Sequence, residues 1–169
     1  MVAQAVATIA LGVLGASGIV KLIDPDPTTG AMSTVGLPAS NTLSRLLGIV
    51  EIVVAVIALA AGGLAVIAAA GLYAAFAVFT VAALRLELPI QSCGCFGRDD
   101  TPPTILHVAY NSGAAAALFT LPVLGLAPIE WGLAPLELAL FVGFAAVGVY
   151  ASYLLLATLP QLLGLARNP

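Results

Sequence analysis

IVEIVVAVIALAAGGLAVIAAAGLYAAFAVFTVAAL, residues 49–84, contains two long apolar runs that are separated only by Gly62 and Gly63. A transmembrane helix needs about 20 consecutive apolar residues, and each run can supply them together with its flanking residues. Adjacent glycines are typical of a tight turn between two helices. The stretch therefore predicts a hairpin of two membrane-spanning helices, with Glu51 as its only charged side chain.

Three further apolar runs lie on either side of this hairpin. The first of them ends at Asp24-Pro25-Asp26-Pro27, because prolines cannot continue a helix and aspartates are costly in hydrocarbon. A polar connection is expected from there to residue 41. The sequence predicts an all-α, polytopic transmembrane helical bundle that forms a single integral membrane domain over residues 1–169, with spans at about 2–23, 42–61, 64–84, 104–124 and 136–159.

The composition of the chain agrees with a membrane protein. Apolar side chains make up 62% of the residues and charged ones 8%, whereas soluble domains carry about a quarter charged residues. The chain is therefore expected to contact membrane lipid. Its net charge of −3 comes from five basic and eight acidic side chains, too few for a nucleic-acid-binding surface. The partner classes that remain are other proteins, quinones and small solutes.

The basic residues predict an orientation. With five spans, the connections after the first and third spans share one face of the membrane with the C-terminal tail. All five basic residues fall on that face: Lys21, Arg45, Arg85, Arg98 and Arg167. Because cytoplasmic connections are enriched in lysine and arginine, this face is expected to be cytoplasmic and the N-terminus to lie outside.

Both cysteines of the chain lie in the stretch Ser92-Cys93-Gly94-Cys95-Phe96-Gly97, within the polar connection 85–103. A disulfide across a single residue is strained, and strained exposed disulfides are the labile, catalytic ones. Arg98 would favour the thiolate form. Two alternatives stay open. The sulfurs could bind a metal with His107 as a third ligand, although structural zinc sites use four ligands and longer spacings. The two cysteines could also be small residues in a turn.

Polar residues inside the predicted spans suggest a second functional region. Glu51 lies well inside the second span, and its candidate partners are Lys21 and Arg45. An intramembrane carboxylate indicates either a functional site or a structural ion pair. His107 and Asn111 are four residues apart, so they share one face of the fourth span, close to the cysteines. His107 is either a packing residue or a proton acceptor during thiol exchange.

Taken in chain order, these motifs resemble those of one known family. They are Gly15-Ala16-Ser17-Gly18, Lys21, Arg45-x-x-Gly48-x-x-Glu51, Cys93-Gly94-Cys95-Phe96-Gly97 and His107-x-x-x-Asn111. The order is similar to that of the methylamine-utilisation MauE family within the wider DoxX-like membrane proteins. The resemblance implies a DoxX-like four-helix core with a fifth C-terminal helix. It also implies a role in redox-associated protein maturation, which in MauE itself is processing or disulfide formation of the methylamine dehydrogenase small subunit.

The resulting functional hypothesis is a thiol-disulfide redox component in the bacterial plasma membrane, which as an enzyme would be a thiol-disulfide oxidoreductase. Cys93 and Cys95 would exchange disulfides, and His107 would handle the proton. The remaining candidates would bind a quinone head group or form a structural polar cluster: Lys21, Arg45, Glu51 and Asn111. No metal site is assigned. The alternative is a non-catalytic accessory or assembly subunit of a membrane respiratory complex, which would tolerate serine at both cysteine positions.

One conflict lies within this hypothesis. Disulfide donation to an exported partner belongs on the oxidising outer side of the membrane, whereas the basic residues predict a cytoplasmic Cys93/Cys95 connection. The chain has no second cysteine pair, so electron transfer across the membrane would require a quinone or a partner protein.

Overall fold

The computed structural model describes residues 2–88, 102–129 and 132–159. Within these ranges the regular structure is helical and no strand occurs, which confirms the all-α fold class. The helices are α1 (Val2–Ile23), α2 (Asp26–Thr34), α3 (Asn41–Ala61), α4 (Leu64–Arg85), α5 (Ile105–Val123) and α6 (Pro135–Tyr153), and α6 continues into a π-helical turn (Leu154–Thr158). The predictions for Cys93, Cys95, Arg98 and Arg167 fall outside the described residues.

Four of the described helices are long and apolar enough to cross a membrane: α1, α3, α4, and α6 with its π-helical turn. The chain is therefore an integral membrane protein, and its outward apolar side chains contact lipid. The 19-residue α5 is not among the four, because polar residues such as His107 and Asn111 stand in its first turns. Two statements stay predictions: α5 also crosses the membrane, and residues 1–169 form one domain.

The segment after α1 is more ordered than the sequence indicated. A polar connection was expected there, but the structure contains the short helix α2. Pro27 lies in the first turn of α2, where backbone N–H groups have no partner within the helix. The missing N–H of proline therefore costs nothing there, and proline favours a helix start. Asn41 Nδ2 donates a hydrogen bond to Asp26 Oδ1 at 2.8 Å, which ties the start of α2 to the start of α3.

The α3–α4 turn has the backbone conformation that its two glycines allow. Gly62 and Gly63 have φ angles of 65° and 58°, in a region that side-chain-bearing residues rarely adopt. The chain therefore reverses direction here without strain, and α4 returns beside α3.

The direction of α5 follows from two hydrogen bonds just after its C-terminal end. Gln4 Nε2 donates to the Ala127 carbonyl at 3.1 Å, and Thr8 Oγ1 donates to the Pro128 carbonyl at 2.9 Å. The end of α5 therefore lies beside the start of α1. It follows that the start of α5, the end of α4 and the end of α1 lie together at the other end of the bundle.

The helices pack around α1, which is the most buried of the four apolar helices. Its most extensive pairing is with α3, and it makes smaller contacts with α5 and α6, while α4 pairs most extensively with α5. The core between them is made of fully buried leucines and small residues, among them Leu11, Leu14, Ala58, Leu118 and Leu121. By contrast, α6 buries little of its surface within the chain, so most of α6 faces outward.

Tyr73 joins α4 to α1 through a buried hydrogen bond. Its hydroxyl donates to the Ala10 carbonyl at 2.6 Å. Tyr73→Phe is expected to lower the free energy of unfolding by about 0.5–1.5 kcal/mol, the net contribution of one such hydrogen bond. Unfolding of the purified protein in mixed micelles measures this change. Tyr150→Phe, at an exposed position, is the matched control, and an equal loss in both variants would contradict the prediction.

Candidate functional site

Helices α1 and α3 cross at two glycines. A Cβ atom placed on Gly18 would lie 2.5 Å from the Gly48 carbonyl oxygen, and one placed on Gly48 would lie 2.6 Å from the Gly18 carbonyl oxygen. Small residues permit such close approach of two backbones, which stabilises helix pairs where lipid offers no hydrophobic driving force. The two helices are antiparallel here, so Lys21 of α1 packs against Gly48 and Glu51 of α3 packs against Gly18. The Lys21 Cβ lies 3.0 Å from the position of a Cβ on Gly48, and the Glu51 Cβ lies 3.1 Å from the position of a Cβ on Gly18.

The two residues that pack against the crossing glycines form a buried ion pair. Lys21 Nζ lies 3.0 Å from each carboxylate oxygen of Glu51, and it donates a further hydrogen bond to Ser17 Oγ at 2.6 Å. The lysine is 3% exposed and the glutamate 0%. Burying either charge alone would cost several kcal/mol, so each side chain requires the other at this position.

An aromatic row connects this ion pair to α5. Lys21 Nζ lies 5.8 Å from the centre of the Phe76 ring, a cation–π contact. Tyr73 packs edge-to-face against Phe76 at 6.4 Å and against Tyr110 of α5 at 6.2 Å. These side chains extend from the α1–α3 crossing, through α4, to α5.

The start of α5 determines which nitrogen of His107 carries hydrogen. Thr104 is the N-cap residue, and its backbone N–H donates to His107 Nδ1 at 3.2 Å. The Thr104 hydroxyl also lies 3.0 Å from Nδ1. Because Nδ1 accepts a hydrogen bond, the neutral ring carries its hydrogen on Nε2. His107 therefore presents Nε2–H as a donor.

Asn111 adds a second donor one helical turn further along α5. The two side chains are 1% and 5% exposed. Neither His107 Nε2 nor Asn111 Nδ2 has a hydrogen-bond partner among the described residues. Buried donors are rarely left unsatisfied, because each loses its hydrogen bonds to water. This pair of nitrogens is the feature of the bundle that most clearly calls for an acceptor.

The two polar groups lie at a similar depth. Helices α4 and α5 are antiparallel, and Tyr73 contacts Tyr110. Phe76 lies three residues after Tyr73 on α4, and His107 lies three residues before Tyr110 on α5, so both are nearer the end of the bundle where α4 ends and α5 begins. Since Phe76 contacts Lys21, the ion pair and the two unpaired donors occupy the same end of the bundle.

The structure divides the polar cluster that the sequence predicted. Lys21 and Glu51 are together, and Asn111 stands with His107 on α5. Arg45 is exposed on α3 and takes no part in the ion pair. Glu51 thus pairs with the first of its two candidate partners.

Three contacts were not assigned from the sequence. Ser17 lies four residues before Lys21 on the same helical face, a spacing that could have indicated the hydrogen bond. Thr104 and His107 have the spacing of a capping box, but histidine stands where glutamate or glutamine is usual. The sequence did not indicate the contact between Phe76 and Lys21, because an aromatic residue in an apolar helix is most simply interpreted as a packing residue.

The burial of Lys21 also bears on the orientation. A lysine that is paired inside the bundle is not one of the exposed basic residues that the positive-inside rule counts. Among the described residues, Arg45 and Arg85 are the exposed basic side chains. The cytoplasmic position of the cysteine connection stays a prediction.

Comparison with known proteins identifies one family. The family model described as methylamine utilisation protein MauE matches residues 1–128, more than half of the chain. The match covers α1 to α5 and includes every candidate site residue, whereas α6 lies beyond it. No curated protein and no solved structure matches the chain. The family resemblance drawn from the sequence motifs is confirmed.

Proposed function

Because this chain belongs to the MauE family of methylamine utilisation proteins, we propose that it is a membrane thiol-disulfide redox component that assists maturation of a partner redox protein. The observation that carries the proposal is the pair of buried donors on α5, which begins two residues after the end of the cysteine connection 85–103. A purely structural helix start would not need two unsatisfied nitrogens beside a C-x-C segment. The proposal places the protein in the bacterial plasma membrane.

The proposed reaction transfers two electrons from the partner to this chain. One partner thiolate attacks a sulfur of the Cys93–Cys95 disulfide, forms a mixed disulfide and releases the other cysteine as a thiolate. The second partner thiolate then displaces the remaining sulfur, so that the partner holds a disulfide and this chain holds two thiols. Reoxidation passes two electrons and two protons from Cys93 and Cys95 to a membrane quinone, which becomes a quinol.

His107 is the proposed proton-handling residue in this reaction. Its Nδ1 accepts the Thr104 N–H, so Nε2–H can donate a hydrogen bond to an acceptor molecule. A role as proton acceptor would first require His107 to release the Thr104 contact. The geometry therefore favours a role in which Nε2–H donates a hydrogen bond to the oxygen that is reduced. Nε2 can release its proton only as Nδ1 takes up another, because a neutral imidazole is a very weak acid.

The redox state of the cysteines tests the proposal. A membrane-impermeant maleimide is applied to intact and to lysed cells, before and after reduction, in wild type and in Cys93→Ser and Cys95→Ser variants. We expect labelling only after reduction, and we expect either serine variant to abolish partner maturation at an unchanged level of inserted protein. Ser92→Ala, in the same connection, is the matched control and should behave as wild type.

Two results would separate this function from its alternative. If the thiols react without reductant and both serine variants still mature the partner, the chain is an accessory or assembly subunit. The same labelling measures sidedness, since reaction in intact cells places the thiols outside and reaction only after lysis places them inside. Donation to an exported partner requires the outer side, whereas the basic residues predict the inner one.

A further inference from the structure

We propose that His107 Nε2 and Asn111 Nδ2 together bind a carbonyl oxygen of a lipid-soluble quinone at the end of the bundle that holds the cysteine connection. This inference rests on the proposed function for the identity of the quinone as electron acceptor. It assigns the head group to α5 rather than to the Lys21–Glu51 pair on α1 and α3.

The hydrogen-bonding character of the site selects the kind of ligand. Both side chains offer N–H groups, and the lone pair of Nδ1 is already occupied by Thr104. A ligand must therefore present an acceptor oxygen, and a ligand with only donors would leave both nitrogens unsatisfied. A single carbonyl oxygen can accept hydrogen bonds from both nitrogens, because it has two lone pairs and the two donors are one helical turn apart.

The charge around the site favours an uncharged ligand. The nearest buried cation is Lys21, and Glu51 neutralises it at 3.0 Å. His107 is neutral in the arrangement described, since Nδ1 accepts a hydrogen bond. An anion would find no buried, unpaired positive charge among the described residues of this region, and the two unpartnered nitrogens carry N–H groups, which do not bind a metal cation.

The surroundings of the site favour a planar apolar molecule that arrives through lipid. His107 and Asn111 are buried between helices whose neighbouring side chains are largely apolar. The aromatic row of Phe76, Tyr73 and Tyr110 lies alongside them. A quinone ring matches the apolar and aromatic character of this environment, and its carbonyl oxygens become the hydroxyl oxygens of a quinol when two electrons and two protons are added. A phospholipid ester carbonyl has the same acceptor chemistry but cannot be reduced in this way.

Binding of ubiquinone-1 to the full chain in phospholipid nanodiscs tests the inference. The dissociation constant is measured by calorimetry, and the infrared carbonyl band is recorded with quinone labelled with ¹³C at its carbonyls. We expect the band to shift to lower frequency on binding. We also expect the dissociation constant to rise about tenfold in Asn111→Leu and in His107→Leu, the effect of losing one hydrogen bond.

Two further variants separate a binding role from a structural one. His107→Gln keeps a capping acceptor and an N–H donor in the first turn, so it should restore binding to within about twofold of wild type. Thr120→Val, at an exposed position on the same helix, should have no effect. Asn111→Leu without ligand should unfold at the same temperature as wild type or higher, because it removes a buried donor that has no protein partner.

The outcomes are distinct. Equal affinity in wild type and Asn111→Leu would overturn the inference, and so would an unshifted carbonyl band. The inference would also be overturned if the wild type bound no quinone and Asn111→Leu unfolded at a lower temperature than wild type. That result would show that a carbonyl of the chain or of a lipid satisfies these donors. The doubly substituted Cys93→Ser/Cys95→Ser chain should still bind quinone, so a failure of the proposed thiol chemistry would leave this result unchanged.

Discussion

Replacing Glu51 with leucine is expected to lower the free energy of unfolding by about 3–5 kcal/mol. The substitution removes the only carboxylate that contacts Lys21 among the described residues, and it leaves a lysine of 3% exposure without a counterion. The Ser17 hydroxyl, at 2.6 Å from Nζ, cannot compensate for a full charge. Reversible unfolding of the purified protein in mixed detergent micelles measures the loss.

The double-mutant cycle distinguishes an ion pair from two independent packing residues. Lys21→Met alone should also destabilise the protein, whereas Lys21→Met combined with Glu51→Leu should be closer to wild type than either single variant. Arg45→Met is the matched control, because this exposed basic residue is outside the pair, and its effect should stay within about 0.5 kcal/mol. Strictly additive losses would contradict the pairing.

Introducing a methyl group at the helix crossing is expected to have the second largest effect. Gly18→Ala places a Cβ atom 2.5 Å from the Gly48 carbonyl oxygen and 2.8 Å from Ile52 Cγ1, so the two helices must move apart. Overpacking of this kind costs about 1–3 kcal/mol. The shift would also lengthen the Lys21–Glu51 contact, because each of these residues packs against the crossing glycine of the other helix. Gly48→Ala should behave similarly, and micelle unfolding again gives the measurement.

A glycine elsewhere in the bundle supplies the control. Gly113 lies in α5, and apart from its chain neighbours and its own helical backbone no atom lies within 4 Å of the position that its Cβ would take. Gly113→Ala is expected to leave stability unchanged or raise it by up to about 1 kcal/mol, because alanine is the better helix former. If all three alanine variants had the same effect, close approach at the α1–α3 crossing would not be the cause.

Several polar positions could be singled out from the sequence, but their partners could not. Glu51 was expected to pair with Lys21 or Arg45, since both lie near the same membrane face as the carboxylate. The choice depends on how α1 and α3 cross, and the close approach of Gly18 and Gly48 brings Lys21 to Glu51 while Arg45 faces outward. Small-residue spacing indicates that some close crossing is possible, but it does not identify the partner helix.

For the site on α5, too, the sequence indicated the positions of the polar residues but not their surroundings. The four-residue spacing of His107 and Asn111 placed them on one face of a helix from sequence alone. That both nitrogens are buried depends on α5 packing against α4 and α1. The Thr104 contact that leaves Nε2–H as the free donor is local, yet it was missed because histidine is unusual in a capping box.

The sequence by itself determined that the chain is an integral membrane protein of apolar helices, with a reversal at Gly62 and Gly63. These features are local, because a bilayer imposes the same requirement of length and apolarity on every span. Only the helix packing shows that Lys21 pairs with Glu51, that Arg45 stays outside, and that His107 Nε2 and Asn111 Nδ2 lack a partner among the described residues. Such pairings depend on the crossing of helices distant in sequence, which no local pattern specifies.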